Sequence, residues 1–285
     1  MFTDQPVTPL RLETLLEVVG KLGPIERSTL SHLLQPDGLP DLGDQRVMSA
    51  RTLRAALELN LVSEEGRRIS RSKTTGSDRG QALSEAILTA FDEHVLLNSD
   101  IEPYFGPFYS YLLGLNADGV SRRGHQDWAT DFNNAVFQGQ LPPNPLNATK
   151  VTGLWRWYPY VGLGWLDGGS LFHCNPYGRL VRSLPKIFAR ETTLASEEFM
   201  SRIGSCCPEL DGGAVFRESN AGYNPHTREC TLGLSHALID MHLDGIVLLQ
   251  CPPDSSGWSL GKAEPPRDSS TMRSDRFSTI ELKLE

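Results

Sequence analysis

The sequence predicts a mostly helical α+β chain assembled from tandem units of one design, and three observations carry that expectation. Apolar residues recur at helical spacing near the start, a short helix-to-strand junction repeats three times, and Gly and Pro make up 45 of 285 residues. The last figure suits many short elements joined by turns. A chain of this length also exceeds the roughly 100 to 200 residues usual for one domain, so two or three compact units are expected.

The elements follow in order. Leu12, Leu15, Leu16 and Val19 fall at i, i+3, i+4 and i+7, the stripe of a helix with one buried face, started by Pro9 and stopped by Gly20 and Gly23. A second helix follows Pro24 with Ile25, Thr29, Leu30, Leu33 and Leu34 inward and Pro36-Asp37-Gly38 as its stop. After a loop from Gln35 to Val47, Ser49 offers an N-cap hydroxyl to a third helix. Leu53, Ala56 and Leu57 face inward there, while Arg51 and Arg54 lie on other faces. At Leu61-Val62 the period changes to two, and Ser63 to Ile69 reads as a hairpin turned by Glu65-Gly66. Three helices and then a hairpin is the order of a winged helix, whose third helix enters the major groove in DNA-binding members.

The junction that closes the third helix recurs. Leu53, Ala56, Asn60, Leu61 and Val62 match Leu238, Met241, Gly245, Ile246 and Val247, and in the middle of the chain Trp155, Tyr158, Gly162 and Leu163. Each copy places a residue able to take left-handed backbone where the helix must release the chain into a strand. The spacings between copies are 102 and 83 residues. Downstream of the last copy, Ile246 to Leu249 supplies a wing strand, Pro252 to Gly257 a turn and Trp258 to Leu260 the return, with a final strand over Phe277 to Leu282. The middle copy has a helix capped by Asn147, a strand over Leu163 to Leu166, a turn at Asp167-Gly168-Gly169 and a strand at Ser170 to Phe172. The expected division is therefore an N-terminal winged helix at 8–76, a central helical region at 80–183 containing the third copy, and a C-terminal winged-helix-like domain at 184–285. Arg71 to Gly80, with turn composition, links the first two. Further helices are expected at Ala82 to Leu97 and Trp128 to Phe137. The aromatic run from Pro103 to Tyr111 between them would stack nucleobases or, more commonly for such a cluster, pack in a core or an interface.

Charge sharpens the functional reading. The net formal charge is −8, which argues against a protein that coats nucleic acid over its whole surface. Residues 1–79 balance 11 basic against 11 acidic side chains, residues 80–285 carry the entire deficit, and Gln45 to Arg79 alone is +4. Candidate DNA contacts are accordingly Arg51 and Arg54 on the third helix, Arg67, Arg68 and Arg71 on or beside the wing, and Lys73 and Arg79 in the linker. A solvated basic face on a protein-binding module explains the same residues. The C-terminal copy carries Asp240, Asp244 and Asp254, chemistry suited to a basic partner.

Catalytic and cofactor motifs are weak. Pro253-Asp254 with Glu281-Leu282-Lys283 formally matches the PD...ExK pattern of metal-dependent nucleases, in which two carboxylates hold Mg²⁺ and a lysine serves the attacked phosphate. Here the ExK strand stands two residues from the end of the chain and Pro252 to Ser255 is good turn sequence, so the structural reading is preferred. His236, Asp240 and Asp244 share a helical face without an identifiable third metal ligand. His173-Cys174 and Ser235-His236 lack a third member for nucleophilic catalysis, and Gly162, Gly164 and Gly168 miss the dinucleotide spacing. No cofactor is expected. Cys174, Cys206, Cys207, Cys230 and Cys251 include no C-x-x-C and read as buried thiols. The absence of an apolar run of membrane-spanning length and of a secretory leader in MFTDQPVTP points to the cytoplasm and away from membranes.

The opening SARTLRAALELNLVSEEGRRIS, the central WRWYPYVGLGWL and the closing GLSHALIDMHLDGIVLLQCPPDSSGWSL together resemble the DpdG family, accessory proteins of the bacterial dpd clusters that insert 7-deazaguanine derivatives into DNA and restrict unmodified DNA. The resemblance implies a non-catalytic role in DNA modification, restriction and phage defence, with partners among proteins of the same gene cluster, and carries no catalytic residues with it. The functional expectation is an accessory protein that touches DNA locally through its N-terminal unit and binds proteins through its acidic remainder. A pure protein adaptor, a transcriptional regulator and a nuclease using Asp254, Glu281 and Lys283 are the alternatives.

Overall fold

The computed structural model describes residues 7–36, 46–72, 83–97, 101–168, 171–261 and 275–283. The protein is α+β, with 53% of the described residues helical and small antiparallel sheets. Two compact units are present, Met1–Pro103 with Asn147–Tyr160, and Tyr104–Leu146 with Val161–Glu285. That grouping follows contacts, whereas the division at 8–76, 80–183 and 184–285 follows the order of repeated elements and remains a proposal. Among the described residues no helix is long and apolar enough to cross a membrane.

The first unit begins with α1 (Pro9–Leu22), β1 (Ile25–Glu26), α2 (Arg27–Leu34), α3 (Arg46–Glu58), β2 (Val62–Glu65) and β3 (Arg68–Arg71). Thr8 caps α1 by accepting the Arg11 amide, and Gly23 at φ 72° ends it. The predicted stripe of Leu12, Leu15, Leu16 and Val19 is buried to 1% exposure or less. Four local readings need correction. Ile25 is a strand residue, paired with Ile69 of β3, and Thr29 and Leu33 are exposed, so α2 buries little beyond Leu30. Ser49 lies inside α3, which starts at Arg46, so it caps nothing. Leu57 is only half-buried, and Leu59 replaces it in the core. Because Glu65 already pairs with Arg68, the two loop residues of the hairpin are Gly66 and Arg67. After α4 (Leu83–Phe91), a π-helical turn at Asp92–Leu96 follows. Phe91 stacks on Trp157 with ring centroids 5.2 Å apart, and the Trp157 indole donates to the Val7 carbonyl at 3.2 Å.

The next elements are α5 (Phe105–Gly114), β4 (Val120–Ser121), α6 (His125–Phe137), α7 (Ala148–Tyr160), β5 (Gly164–Asp167) and β6 (Leu171–Cys174). Helix α7 belongs to the first unit and the others to the second. As expected, Asn147 caps α7, its Oδ1 accepting the Lys150 amide at 3.1 Å. The aromatic run settles as core: Phe105, Phe108 and Tyr109 are wholly buried, and Phe108 meets Phe132 edge-on at 5.5 Å.

The chain ends with α8 (Tyr177–Phe188), β7 (Thr193–Ala195), α9 (Ser196–Cys206), α10 (Ala214–Ser219), α11 (Leu232–Leu243), β8 (Val247–Gln250), β9 (Trp258–Ser259), β10 (Arg276–Phe277) and β11 (Thr279–Leu282). The strand that returns beside β8 is β11, and Trp258-Ser259 pairs instead with Arg276-Phe277. The expectation that 258–260 formed the return is thereby corrected.

One topology occurs three times. Helix, strand, two helices and two strands run in chain order, and the sheets are ordered β1-β3-β2, β4-β6-β5 and β7-β11-β8, the first strand always adding to the last. The third set carries α10 as an insertion between its last two helices and the β9-β10 pair between its last two strands. The junction residues Asn60, Gly162 and Gly245 all adopt left-handed backbone, at φ 54°, 73° and 71°. At Asn60 the Leu61 amide bonds the Ala56 carbonyl at 2.9 Å and the Asn60 amide that of Leu57 at 3.0 Å. At Gly245 the same pair runs from Ile246 to Met241 and from Gly245 to His242, at 3.0 and 3.2 Å. These are Schellman caps, which satisfy the last carbonyls and fix the angle at which helix becomes strand.

Candidate nucleic-acid interface

Helix α3 buries Thr52, Leu53, Ala55 and Ala56 and leaves Arg51 and Arg54 exposed. Arg51 and Arg54, three apart and thus neighbours on the helix surface, are exposed. Arg54 is 77% exposed and its Nε sits 2.8 Å from Glu58 Oε1, an i, i+4 pair. In the hairpin, Arg67 occupies the exposed loop, and its carbonyl accepts the Arg27 amide at 2.9 Å, tying the tip to α2. Arg68 is exposed and stands in register between Glu26 on β1 and Glu65 on β2. Arg71 alternates to the inner face with Ile69, is half-buried, and lies over α1 with a guanidinium nitrogen 3.9 Å from where a Cβ on Gly20 would be. Lys73 and Arg79 lie outside the described residues.

The structure thus brings Arg51, Arg54, Arg67 and Arg68 to exposed positions on one unit and turns Arg71 inward. It also interleaves carboxylates. Arg27, which the sequence reading passed over, pairs with Glu64 at 3.2 Å across 37 residues. The Glu58 pairing was visible as i, i+4 spacing; the Glu64 pairing depends on the hairpin folding over α2 and has no local signal. Surface pairs of this kind contribute about 0 to 1 kcal/mol each, so they dilute the positive field without freezing the arginines.

The other candidates are separately occupied. Asp240 Oδ2 accepts from Asn175 at 2.8 Å and Asp244 Oδ2 from the Tyr177 hydroxyl at 2.6 Å, so this acidic face is engaged within its own unit. The hydrogen bond to Asp244 and burial push the Tyr177 hydroxyl up to about 12. Lys283 is tied to Glu281 at 2.6 Å, and Asp254 sits in a turn at φ 66°. Among the described residues no three His, Cys, Asp or Glu side chains are grouped to hold a metal ion. Cys174, Cys207 and Cys230 are buried as expected, but Cys206 and Cys251 are partly exposed.

Comparison with the curated proteins and with the solved structures gives no match. A family model described as DpdG-like does match residues 2–255, and the chain belongs to that family.

Proposed function

We propose that this is a non-catalytic accessory protein of a dpd-type DNA modification and restriction system, built from winged-helix units, whose first unit contacts DNA and whose acidic remainder binds proteins of the same system. Family membership supports the system, and the exposed arginines on α3 and the hairpin loop support the DNA contact. The carrying observation is the helix, strand, helix, helix, strand, strand order of the first unit, with Arg51 and Arg54 of α3 exposed and the helix capped straight into β2. In winged helices that position belongs to the groove-entering helix. The contact is local and weak, since four exposed arginines stand among Glu26, Glu58, Glu64 and Glu65.

Fluorescence anisotropy on a labelled duplex across about 50 to 200 mM salt tests it. Four phosphate contacts predict a slope of log K against log salt near −3.6, by about −0.9 per contact. Arg51→Ala with Arg54→Ala should remove about half of that slope. Unchanged affinity in the double variant, with no salt dependence in either protein, would show the DNA contact to be wrong. The interleaved carboxylates favour a second reading, a pure protein adaptor, which a stable complex co-purified from the host with no DNA affinity would select.

A further inference from the structure

The second unit holds a cleft of ≈ 920 Å³ that no DNA or partner contact proposed above requires. Its walls come from α9, α10, the loop between them, the loop before α11 and β9, and the loop between α9 and α10 is pressed tightly in place. A Cβ on Gly213 would stand 2.3 Å from the Pro208 carbonyl oxygen, and one on Gly204 of α9 3.0 Å from the Gly212 backbone. The carboxylates on the cleft are already satisfied. Asp211, wholly buried, accepts from the Thr231 amide at 2.7 Å and the Thr231 hydroxyl at 2.8 Å, and Glu197 is paired with Arg228 at 2.8 Å.

The donors are not. Arg217 is exposed at the cleft, and its guanidinium makes neither an ion pair nor a hydrogen bond among the described residues. Tyr223 and Trp258 also line the cleft; the Tyr223 hydroxyl and the Trp258 indole N–H are buried and lack a hydrogen-bond partner. Trp258 as a whole is only 5% exposed. Buried donors left unmade cost about 1 to 3 kcal/mol each, so two on the same cleft as an unpaired guanidinium point to an acceptor carrying negative charge. Indole and guanidinium donate only, which excludes a cation and selects an oxyanion. The cleft also lies within the roughly 300 to 1,000 Å³ of small-molecule sites.

We infer that this cleft binds the oxyanion end of a small molecule, a phosphate or carboxylate group, held by Arg217, Tyr223 and Trp258. The site lies in the second unit, apart from the α3 and hairpin arginines proposed to contact DNA.

Calorimetric titration of the full chain with pyrophosphate in one arm and succinate in the other tests the proposal and separates the two sources of charge. At least one probe should bind saturably at one site per chain. Arg217→Gln should weaken that binding about tenfold or more, as loss of a charge-assisted hydrogen bond does, while Arg217→Lys retains part of it. Trp258→Phe keeps an aromatic ring, removes the donor and should weaken binding severalfold, with a modest loss of unliganded thermal stability from the volume removed. Failure of both probes to saturate by 10 mM, a concentration about tenfold above a millimolar Kd, would overturn the proposal. So would binding that Arg217→Gln leaves unchanged.

Discussion

Replacing Arg179 with Met should cost about 4 kcal/mol, and the structure supplies the reckoning. Arg179 on α8 is 3% exposed and Glu209 is fully buried, with Nε 2.9 Å from Oε1. The guanidinium also donates to Ser183 Oγ at 2.6 Å and to the Cys206 carbonyl at 3.0 Å, so one side chain joins α8 to the end of α9 and the loop after it. Met matches the volume and removes the charge. Glu209 then remains buried without its cation, a change that costs about 3 to 5 kcal/mol, and the Cys206 carbonyl loses a charged donor. In a unit of this size each kcal/mol lowers Tm by roughly 2 to 4 °C, so a fall of about 8 to 16 °C is expected. Glu209→Leu alone should cost a similar amount by stranding the guanidinium. Both changes together should recover most of the loss, because an apolar pair of similar volume often replaces a buried ion pair at little cost. Urea unfolding followed by circular dichroism on the four proteins measures the cycle. A single-variant cost below about 1 kcal/mol, or single costs that simply add in the double variant, would refute this account of the pair.

Three further outcomes follow from local geometry. Gly162→Ala should destabilise by about 3 kcal/mol or more in thermal unfolding, since it combines φ 73° with a Cβ 2.9 Å from the Gly178 Cα. Gly245→Ala, at φ 71° with open space around the added carbon, should lose only the 1 to 2 kcal/mol, roughly, of left-handed strain; equal losses at the two sites would remove the close approach from the explanation. Burial pushes the Asp211 carboxyl up to about 6 despite two bonds from Thr231, so the folded chain holds this proton more tightly than the unfolded chain, whose carboxyl titrates near 3.9. Its contribution to stability is complete below about pH 4 and is lost as pH rises through about 6, by up to about 3 kcal/mol, and Asp211→Asn should flatten that part of the pH–stability curve. Iodoacetamide at pH 8 should label Cys206 and Cys251 in the native protein and reach Cys174, Cys207 and Cys230 only in urea, since burial raises those three thiols; mass spectrometry counts the adducts.

What was legible in the sequence was local chemistry. A Schellman cap is written in one residue that tolerates positive φ and the apolar residues around it, which is why Asn60, Gly162 and Gly245 are legible in the sequence. The stripe of α1 is equally local. What escaped depends on partners far along the chain. Ile25-Glu26 is a strand only because Ile69 and Arg68 lie opposite, and β11 returns to β8 after an intervening pair that has claimed Trp258-Ser259. For the interface, the arginines and their exposure could be read from helix phase, but Arg71 turns inward because strand alternation pairs it in phase with Ile69. The cleft was invisible for the same reason, its three donors coming from α10, a loop before α11 and β9.

Repeated topology does not carry a repeated surface, and α3 and α11 show why. Counted back nine and six residues from their caps, Arg51 and Arg54 of α3 correspond to His236 and Ile239 of α11. Both helices run into a sheet of the same order through the same pair of cap hydrogen bonds. Yet Leu234, Ala237, Leu238, Ile239 and Met241 are all buried, whereas Arg51 and Arg54 are exposed. With Ile239 only 4% exposed, α11 has no bare face at the position where α3 carries Arg54. Asp240 on α11 and Asp244 just after it are turned to Asn175 and Tyr177. An arginine at 239 would have to be buried without a carboxylate, at a cost of several kcal/mol, so Ile239→Arg should destabilise the second unit rather than confer DNA affinity. An anisotropy titration of that variant, beside its melting curve, measures both. Gain of salt-dependent binding at unchanged Tm would mean that the two helices are interchangeable after all, and that charge alone separates the copies.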